Sequence, residues 1–506
     1  MGAEVELKLA TSKAGLRRTM ALPWLKKMAG DKVTRQNLTS VYFDTDDRAL
    51  RKHGVSLRVR RCGDRRLQTI KATSGSPLER AEWEEEIDRD RPKLELAGRT
   101  ALGPLLTDKV RQHLRPVFET CVERVVMPLH VGGSEVELAF DEGRVVTLNS
   151  TIDIAEMEIE LKQGDLTDVA HLARRLAHSI PFTLGSRAKA GWGYALLEDA
   201  VDAPMHAEPL AMASSATAAD AFVMVGFSCL RQIAGNELAV RHADGEGIHQ
   251  MRVGLRRLRA ALSLFKDMIR GRELDRLKHE LKWLTEQLGP VRDYDVFVCG
   301  TVVPYRASHS DSGEFEVLQH DLERERSEGF AAARAAVESG RFRRLLLDCA
   351  LWLLDGEWRN DANPLLRALR ERRANAFAQE ELARRTRKIA KRVRKLKRLD
   401  ARERHKLRIS VKKLRYARRF FASLDSERRA GKLRRAIDRA LKDLQSALGG
   451  LNDMQVHAQL ARGFARANTA TQKAFAIGYL RGSEDARASE LLCQALAAGK
   501  RLKKAA

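Results

Sequence analysis

Along the first 200 residues, apolar and charged positions alternate in short runs: EVELKLA, VSLRVRR, LQTIKA, AEWEEEI, EVELAFD and EMEIELK. Period-2 alternation of this length predicts strands with one apolar and one charged face. Turn chemistry at Gly63-Asp64, 74–77 (SGSP), Gly132-Gly133 and 141–143 (DEG) separates the runs, so an antiparallel β domain with a few helices is expected. Residues 202–219 are rich in Ala, Pro and Ser and lack periodicity, which predicts a linker, drawn at 201–216. Beyond it apolar residues recur every three or four positions, as in a nearly all-α region.

That region repeats itself. IHQMRVGLRRLRAAL at 248–262 aligns with RHKLRISVKKLRYAR at 404–418, and LTEQLGPVRDYDV at 284–296 with LQSALGGLNDMQV at 444–456. Two motifs recurring in one order predict a duplicated helical bundle, about 217–340 and 341–500, within a second domain of 217–500. The Arg292-Asp293 and Asn452-Asp453 pairs are expected where a helix begins or ends, their acids orienting arginines. The fold class read from these patterns is α+β, a β domain over 1–200 followed by an all-α domain.

Charge sharpens the division. The net charge is +24, and residues 1–200 hold 32 Lys and Arg against 30 Asp and Glu, which leaves 60 against 38 for the rest. The helical part should attract a polyanion, whether nucleic acid, an anionic membrane surface or a phosphate polymer. Six cysteines without metal-ligand spacing predict a reduced, cytoplasmic protein. With no signal peptide evident before Glu4 and no apolar run of spanning length, membrane insertion is not expected.

The strand faces carry candidate chemistry. Glu4, Glu6 and Lys8 share a face, and the same E-x-E-x-K spelling returns at Glu158, Glu160 and Lys162, with Glu156 one step earlier. Arg58 and Arg60 share another, as do Glu82, Glu84 and Glu86, and Glu135, Glu137 and Asp141. If the apolar faces pack outward against helices, these charges line a barrel or tunnel, where they need partners. Carboxylates holding Mg²⁺ or Mn²⁺ beside Arg and Lys suit a metal-bound polyphosphate and the hydrolysis of a phosphoanhydride.

The ExExK strand, YFDTDDRALRKHGVSLRVRR at 42–61, QTIKA at 68–72, RAEWEEE at 80–86, Arg124, LAFDEG at 138–143, EMEIELKQG at 156–164 and KAGWGYAL at 189–196 together resemble the CYTH domain of the triphosphate tunnel metalloenzymes. The resemblance implies an eight-stranded antiparallel tunnel that hydrolyses inorganic triphosphate or short polyphosphate with Mg²⁺ or Mn²⁺. It implies catalytic Glu4, Glu6, Glu156, Glu158 and Glu160; metal ligands among Glu4, Glu6, Asp141, Glu158 and Glu160; and phosphate contacts from Lys8, Arg58, Arg60, Lys71, Arg124, Lys162 and Lys189. Either Glu156 with Glu158 or Glu158 with Glu160 could be the working pair. Trp192 stands where the family motif has Arg.

On helices, His249, Arg252, Arg256 and Arg259 form one stripe, and His405, Arg408, Lys412 and Arg415 repeat it, apart from the apolar stripe of Met251, Leu255, Leu258 and Leu262. Like charges at these spacings repel, so two copies point to an anion. These motifs resemble the CHAD domain, which implies binding of long-chain inorganic polyphosphate and, in some members, residence on polyphosphate granules. Non-specific nucleic acid is a further candidate partner, although 384–419 offers only Tyr416 as an aromatic for stacking. The alternatives are a non-catalytic polyphosphate-binding adaptor and, ranked lower, a nucleotide cyclase or a nucleic-acid binder.

Overall fold

The structure is a computed structural model, and it describes residues 5–73, 80–308, 313–424, 430–467 and 471–505. Glu4 and the 74–77 turn lie outside the described residues. The alternating runs form strands: β1 (Val5–Ala10), β2 (Thr34–Asp44), β3 (Val55–Cys62), β4 (Arg65–Thr73), β5 (Arg80–Ile87), β6 (Arg115–Val131), β7 (Ser134–Val146) and β8 (Thr151–Gln163). A two-residue β9 (Thr183–Leu184) pairs with β1 at the edge, so the sheet has nine strands where eight were expected; their order is β5-β4-β3-β2-β6-β7-β8-β1-β9. Its pairings are antiparallel.

The apolar faces turn outward. Leu7, Leu9, Phe140, Met157 and Ile159 are buried in one cluster with Leu16 and Leu25 of the helices Lys13–Met20 and Pro23–Ala29, and with Leu172 and Leu176 of the helix Leu166–Ser179. On the β2–β5 side, Leu57, Val59 and Ile70 pack with Ala97 and Leu102. The charged faces therefore turn into the concave side of the sheet, as period-2 geometry requires once the apolar side is covered.

From Ala218 onward the described elements are helices. Asp244 and Asp400, 156 residues apart like the repeats, cap the helices Gly245–Leu264 and Ala401–Phe420 by accepting backbone N–H groups of the first turn. The copies then diverge. In the first, Pro290 at the start of the helix Gly289–Phe297 interrupts the path after Arg272–Gln287, whereas the second, with Gly449-Gly450 there, runs unbroken from Ala430 to Ala467. Asn452-Asp453 is thus inside a helix rather than at its end, because glycine weakens a helix without removing the hydrogen bond that proline removes.

One apolar cluster continues from the outer sheet face into the helical half, where Phe222, Phe265, Trp352 and Trp358 are buried. The helix Gly340–Asp355 packs against Leu166–Ser179 and β9. Between the halves, residues 201–217 have no helix or strand of their own beyond an isolated bridge at Thr217. They are pinned nonetheless: Leu210 and Met212 are buried, the Met205 N–H donates to Asn236 Oδ1 at 2.9 Å and the Met212 N–H to Ser423 Oγ at 3.0 Å. The segment expected as a linker is a packed strap.

Candidate active site and anion-binding cavity

The concave side of the sheet encloses a cavity of about 310 Å³ whose lining includes Glu6, Lys8, Arg58, Arg60, Lys71, Arg124, Glu158, Glu160, Lys162 and Lys189. Strand register sets their neighbours. Glu6 lies opposite Glu160, and Glu160 opposite Glu137 on its other side; Lys8 lies opposite Glu158, and Glu156 opposite Asp141. The acids therefore fall into two groups.

The deeper group is Asp141, Glu156 and Glu158, all buried, with carboxylate oxygens within 4.8 Å of one another. Three cations of the chain meet it: Arg124, Lys189 and, at Glu158, Lys8. Arg124 donates through Nε and Nη2 to Asp141 at 2.7 and 2.6 Å, and through Nη2 to Glu158 at 2.6 Å. Lys189, the first residue of the helix Lys189–Leu197, places Nζ 2.6 Å from Asp141 and 3.0 Å from Glu158, and also pairs with Glu156. Burial opposes each charge, but Lys189, Lys8 and Arg124 hold Glu158 well below the usual carboxylate range, and Glu158, Asp141 and Glu156 hold Lys189 well above the usual lysine range. Glu158 and Lys189 thus remain ionised although buried.

The outer group is the row Glu137–Glu160–Glu6, like charges directly across three strands. Lys162 pairs with Glu160 and lies 3.7 Å from Glu137, while Lys8 pairs with both Glu6 and Glu158. Facing carboxylates destabilise a sheet, and clustered oxygen donors are what a hard divalent cation seeks. Glu6 and Glu160, outside the deep network, fit such an ion, with Glu158 next to them although its oxygens already meet Lys8, Lys189 and Arg124; Asp141 and Glu156 are likewise paired with Arg124 or Lys189.

The opposite wall carries Arg58, Arg60 and Lys71, with Glu82 and Glu84 beside them. Arg58 is buried and its Nε has no hydrogen-bond acceptor, although Glu82 lies 3.8 Å from Nη2. Lys71 pairs with Glu82 at 2.7 Å, and Arg60 Nε donates to Ser40 Oγ at 3.2 Å. Burial, and then the neighbouring Arg58, lower Arg60 to about 10 and depress Lys71 as well. A phosphate chain entering here would relieve both costs.

Sequence reading missed Tyr42, Ser56 and Thr69, which also line the cavity. Ser56 shares strand parity with Arg58, and Thr69 with Lys71, so parity was the signal available. Trp192 is not part of the lining; it packs beside the Phe118–Tyr194 cluster with the Arg187 guanidinium over its ring at 4.9 Å.

In the helical half the two basic stripes converge on one cavity of about 730 Å³, lined by His249, Arg252, Arg256, His405, Arg408, Lys412 and Arg415 among others. Arg259 is not part of that lining and is exposed. Arg252, Arg256 and Arg408 each bury an Nε that has no acceptor. Arg408 lies 3.5 Å from Asp453, and Asn452 bonds His405 at 2.5 Å, whereas Arg292 is taken up by Asp295 at 2.7 Å. Burial and the surrounding arginines push His249 down to about 4 and, with Arg408 and Arg256 as the main neighbours, Lys412 down to about 7. Arg292, Tyr416 and His457 also line the cavity and were not singled out as contacts.

Comparison with known proteins agrees with this geometry. A CYTH-domain model matches residues 2–184 and a CHAD-domain model residues 226–462. An inorganic triphosphatase of Haemophilus influenzae is 28% identical over 201 residues, 38% of this chain and 54% of that protein, so the chain spans about half the length of the curated relative it matches. The crystal structure of the CHAD domain from the plant Ricinus communis is 30% identical and superposes with a TM-score of 0.51, covering 59% of this chain and 96% of that one. No helix among the described residues is long and apolar enough to cross a membrane.

Proposed function

The chain belongs to the CHAD-domain proteins and carries a CYTH domain ahead of that module, and from this premise we propose that its sheet cavity hydrolyses inorganic triphosphate or short polyphosphate with a divalent metal while its helical cavity binds polyphosphate. The observation that carries the catalytic half is the gathering of the Glu6–Glu160–Glu158 acids and of Arg58, Arg60 and Lys71 around one cavity of about 310 Å³. A bound Mg²⁺ or Mn²⁺ would supply charge neutralisation at phosphoryl oxygens and acidify a water. Glu6, Glu158 and Glu160 would hold it. Arg58, Arg60, Lys71 and Lys8 would orient and neutralise the phosphate chain, and Arg124 and Lys189 would fix the carboxylates of Glu158 and Asp141. Phosphate release from tripolyphosphate, ATP and longer chains, with Mg²⁺ or Mn²⁺ and with EDTA, tests this. Metal-dependent release from tripolyphosphate is expected; its absence from every substrate would leave a non-catalytic polyphosphate adaptor.

The binding half rests on the three buried, acceptor-less Nε groups of Arg252, Arg256 and Arg408 in one cavity. It has a pH signature. Lys412, held near 7 by burial and by Arg408 and Arg256, is partly neutral in the free protein at pH 7. A bound polyanion favours its charged form, so binding takes up a proton above pH 7 and weakens as pH rises, by up to about tenfold per unit for one proton. Calorimetry in buffers of different ionisation enthalpy should detect that uptake, and Lys412→Arg should flatten the profile because guanidinium stays charged. A wild-type affinity that is flat from pH 6 to 9 would remove Lys412 from the contact.

A further inference from the structure

A second basic groove lies away from both cavities. It has a volume of about 780 Å³, a rim of Arg394, Lys395, Lys397, Arg398 and Lys500, and a floor that includes Leu496. No carboxylate lines it, and none of the five cations has an ion pair among the described residues. One residue past Lys500, by contrast, Arg501 pairs with Asp443 at 2.8 Å.

The groove stands on a packed base. A Cβ at Gly499 would come within 1.9 Å of Val393 Cγ1, so the helix Thr471–Ala505 is pressed against the end of the helix Ala374–Val393. Leu396, Val393, Ala498 and Leu502 are all buried in one cluster beneath the rim. Backbone and spacing are thus fixed, and five like charges are held together at a cost that a bound polyanion would offset.

We propose that this groove is a second phosphate-polymer subsite, which lets a long polyphosphate chain engage it and the helical cavity at once. The proposal rests on the polyphosphate-binding reading of that cavity. Arg398 lies only seven residues before His405 of the cavity, so even fully extended backbone would separate them by no more than about 25 Å, and the helix starting at Ala401 shortens the path. A polymer that reaches both sites converts the second contact into an intramolecular one and gains affinity that a short chain cannot. No aromatic lines the groove, so bases would find no stacking platform, which favours bare phosphate over single-stranded nucleic acid.

The test uses the full chain and the quadruple variant Arg394→Gln, Lys397→Gln, Arg398→Gln and Lys500→Gln, all exposed positions, with an unchanged melting curve as the folding control. Dissociation constants are measured for tripolyphosphate and for long-chain polyphosphate at matched salt, with single-stranded DNA as a third ligand. Tripolyphosphate affinity should stay within about twofold of the parent, and long-chain affinity should fall by at least about tenfold. Equal affinity of parent and variant for the long chain overturns the proposal, as does an equal loss for both chain lengths, or a parent that binds DNA more tightly than polyphosphate and loses that binding in the variant. A parent that binds no polyphosphate at all fails earlier, at the reading of the helical cavity, and takes this proposal with it.

Discussion

Replacing Glu6 and Glu160 together by Gln should lower metal-dependent phosphate release by at least about a thousandfold, equivalent to about 4 kcal/mol of transition-state stabilisation, while leaving the protein folded. The two residues face each other across β1 and β8, and neither belongs to the deep Asp141–Glu156–Glu158 network. Neutralising them removes two like charges from the Glu137–Glu160–Glu6 row, so the metal-free protein should melt no lower than the parent. Asp141→Asn should behave oppositely. Asp141 is fully buried between Arg124 and Lys189, and removing its charge leaves those cations under-compensated, a loss of about 3–5 kcal/mol in stability. Metal titration of the melting temperature separates the two acid groups: Mg²⁺ or Mn²⁺ should raise it in the parent and in Asp141→Asn, but not in the double Gln variant. If the double variant keeps activity and metal-induced stabilisation, the ion sits elsewhere and the division of the acids drawn from register is wrong.

That division shows where the sequence stops being readable. Glu158 and Glu160 share a face by parity alone, which is why the strand face was legible while either Glu156–Glu158 or Glu158–Glu160 could be the working pair. Choosing between them needs the pairing of β8 with β1, about 150 residues away in the chain, and no local pattern encodes such a register. Lys189 illustrates the same limit, since it follows β9 at the start of a helix of low amphipathicity and only family resemblance marked it. The twin stripes were legible from helical spacing because the backbone repeats every 3.6 residues. Their convergence was not, since it depends on how the two helices pack in space, and Arg259 is exposed outside the cavity although its counterpart Arg415 lines it. The packed strap at 201–217 left no trace in periodicity: irregular backbone held by Asn236 and Ser423 looks, residue by residue, like a free tether.

Substituting Arg252, Arg256 and Arg408 by Met should reduce polyphosphate affinity by at least about a hundredfold and, in the ligand-free protein, leave stability unchanged or raise it. Both effects have one cause. Each guanidinium buries an Nε that no acceptor meets, and burial lowers the pKa of Arg252 and Arg408, so the empty cavity holds these charges at a cost. Methionine retains much of the stem's apolar contact while removing both the charge and the unmet donors. A charge-assisted hydrogen bond to phosphate contributes about 1.5–3 kcal/mol, so losing three explains the expected drop even if they are far from additive. The slope of log affinity against log salt should shrink by about 2, since about 0.7 of a counterion is released per contact on a single chain. Arg18→Ala, Lys26→Ala and Lys27→Ala together remove the same charge from exposed positions of the sheet domain and should cost less than about threefold. A site evolved for binding trades stability for a preorganised charge, whereas a merely basic surface does not. The decisive comparison is therefore the sign of the stability change beside the size of the affinity loss: a triple Met variant that is less stable than the parent, or that binds no worse than the Ala control, would show that the three arginines are structural.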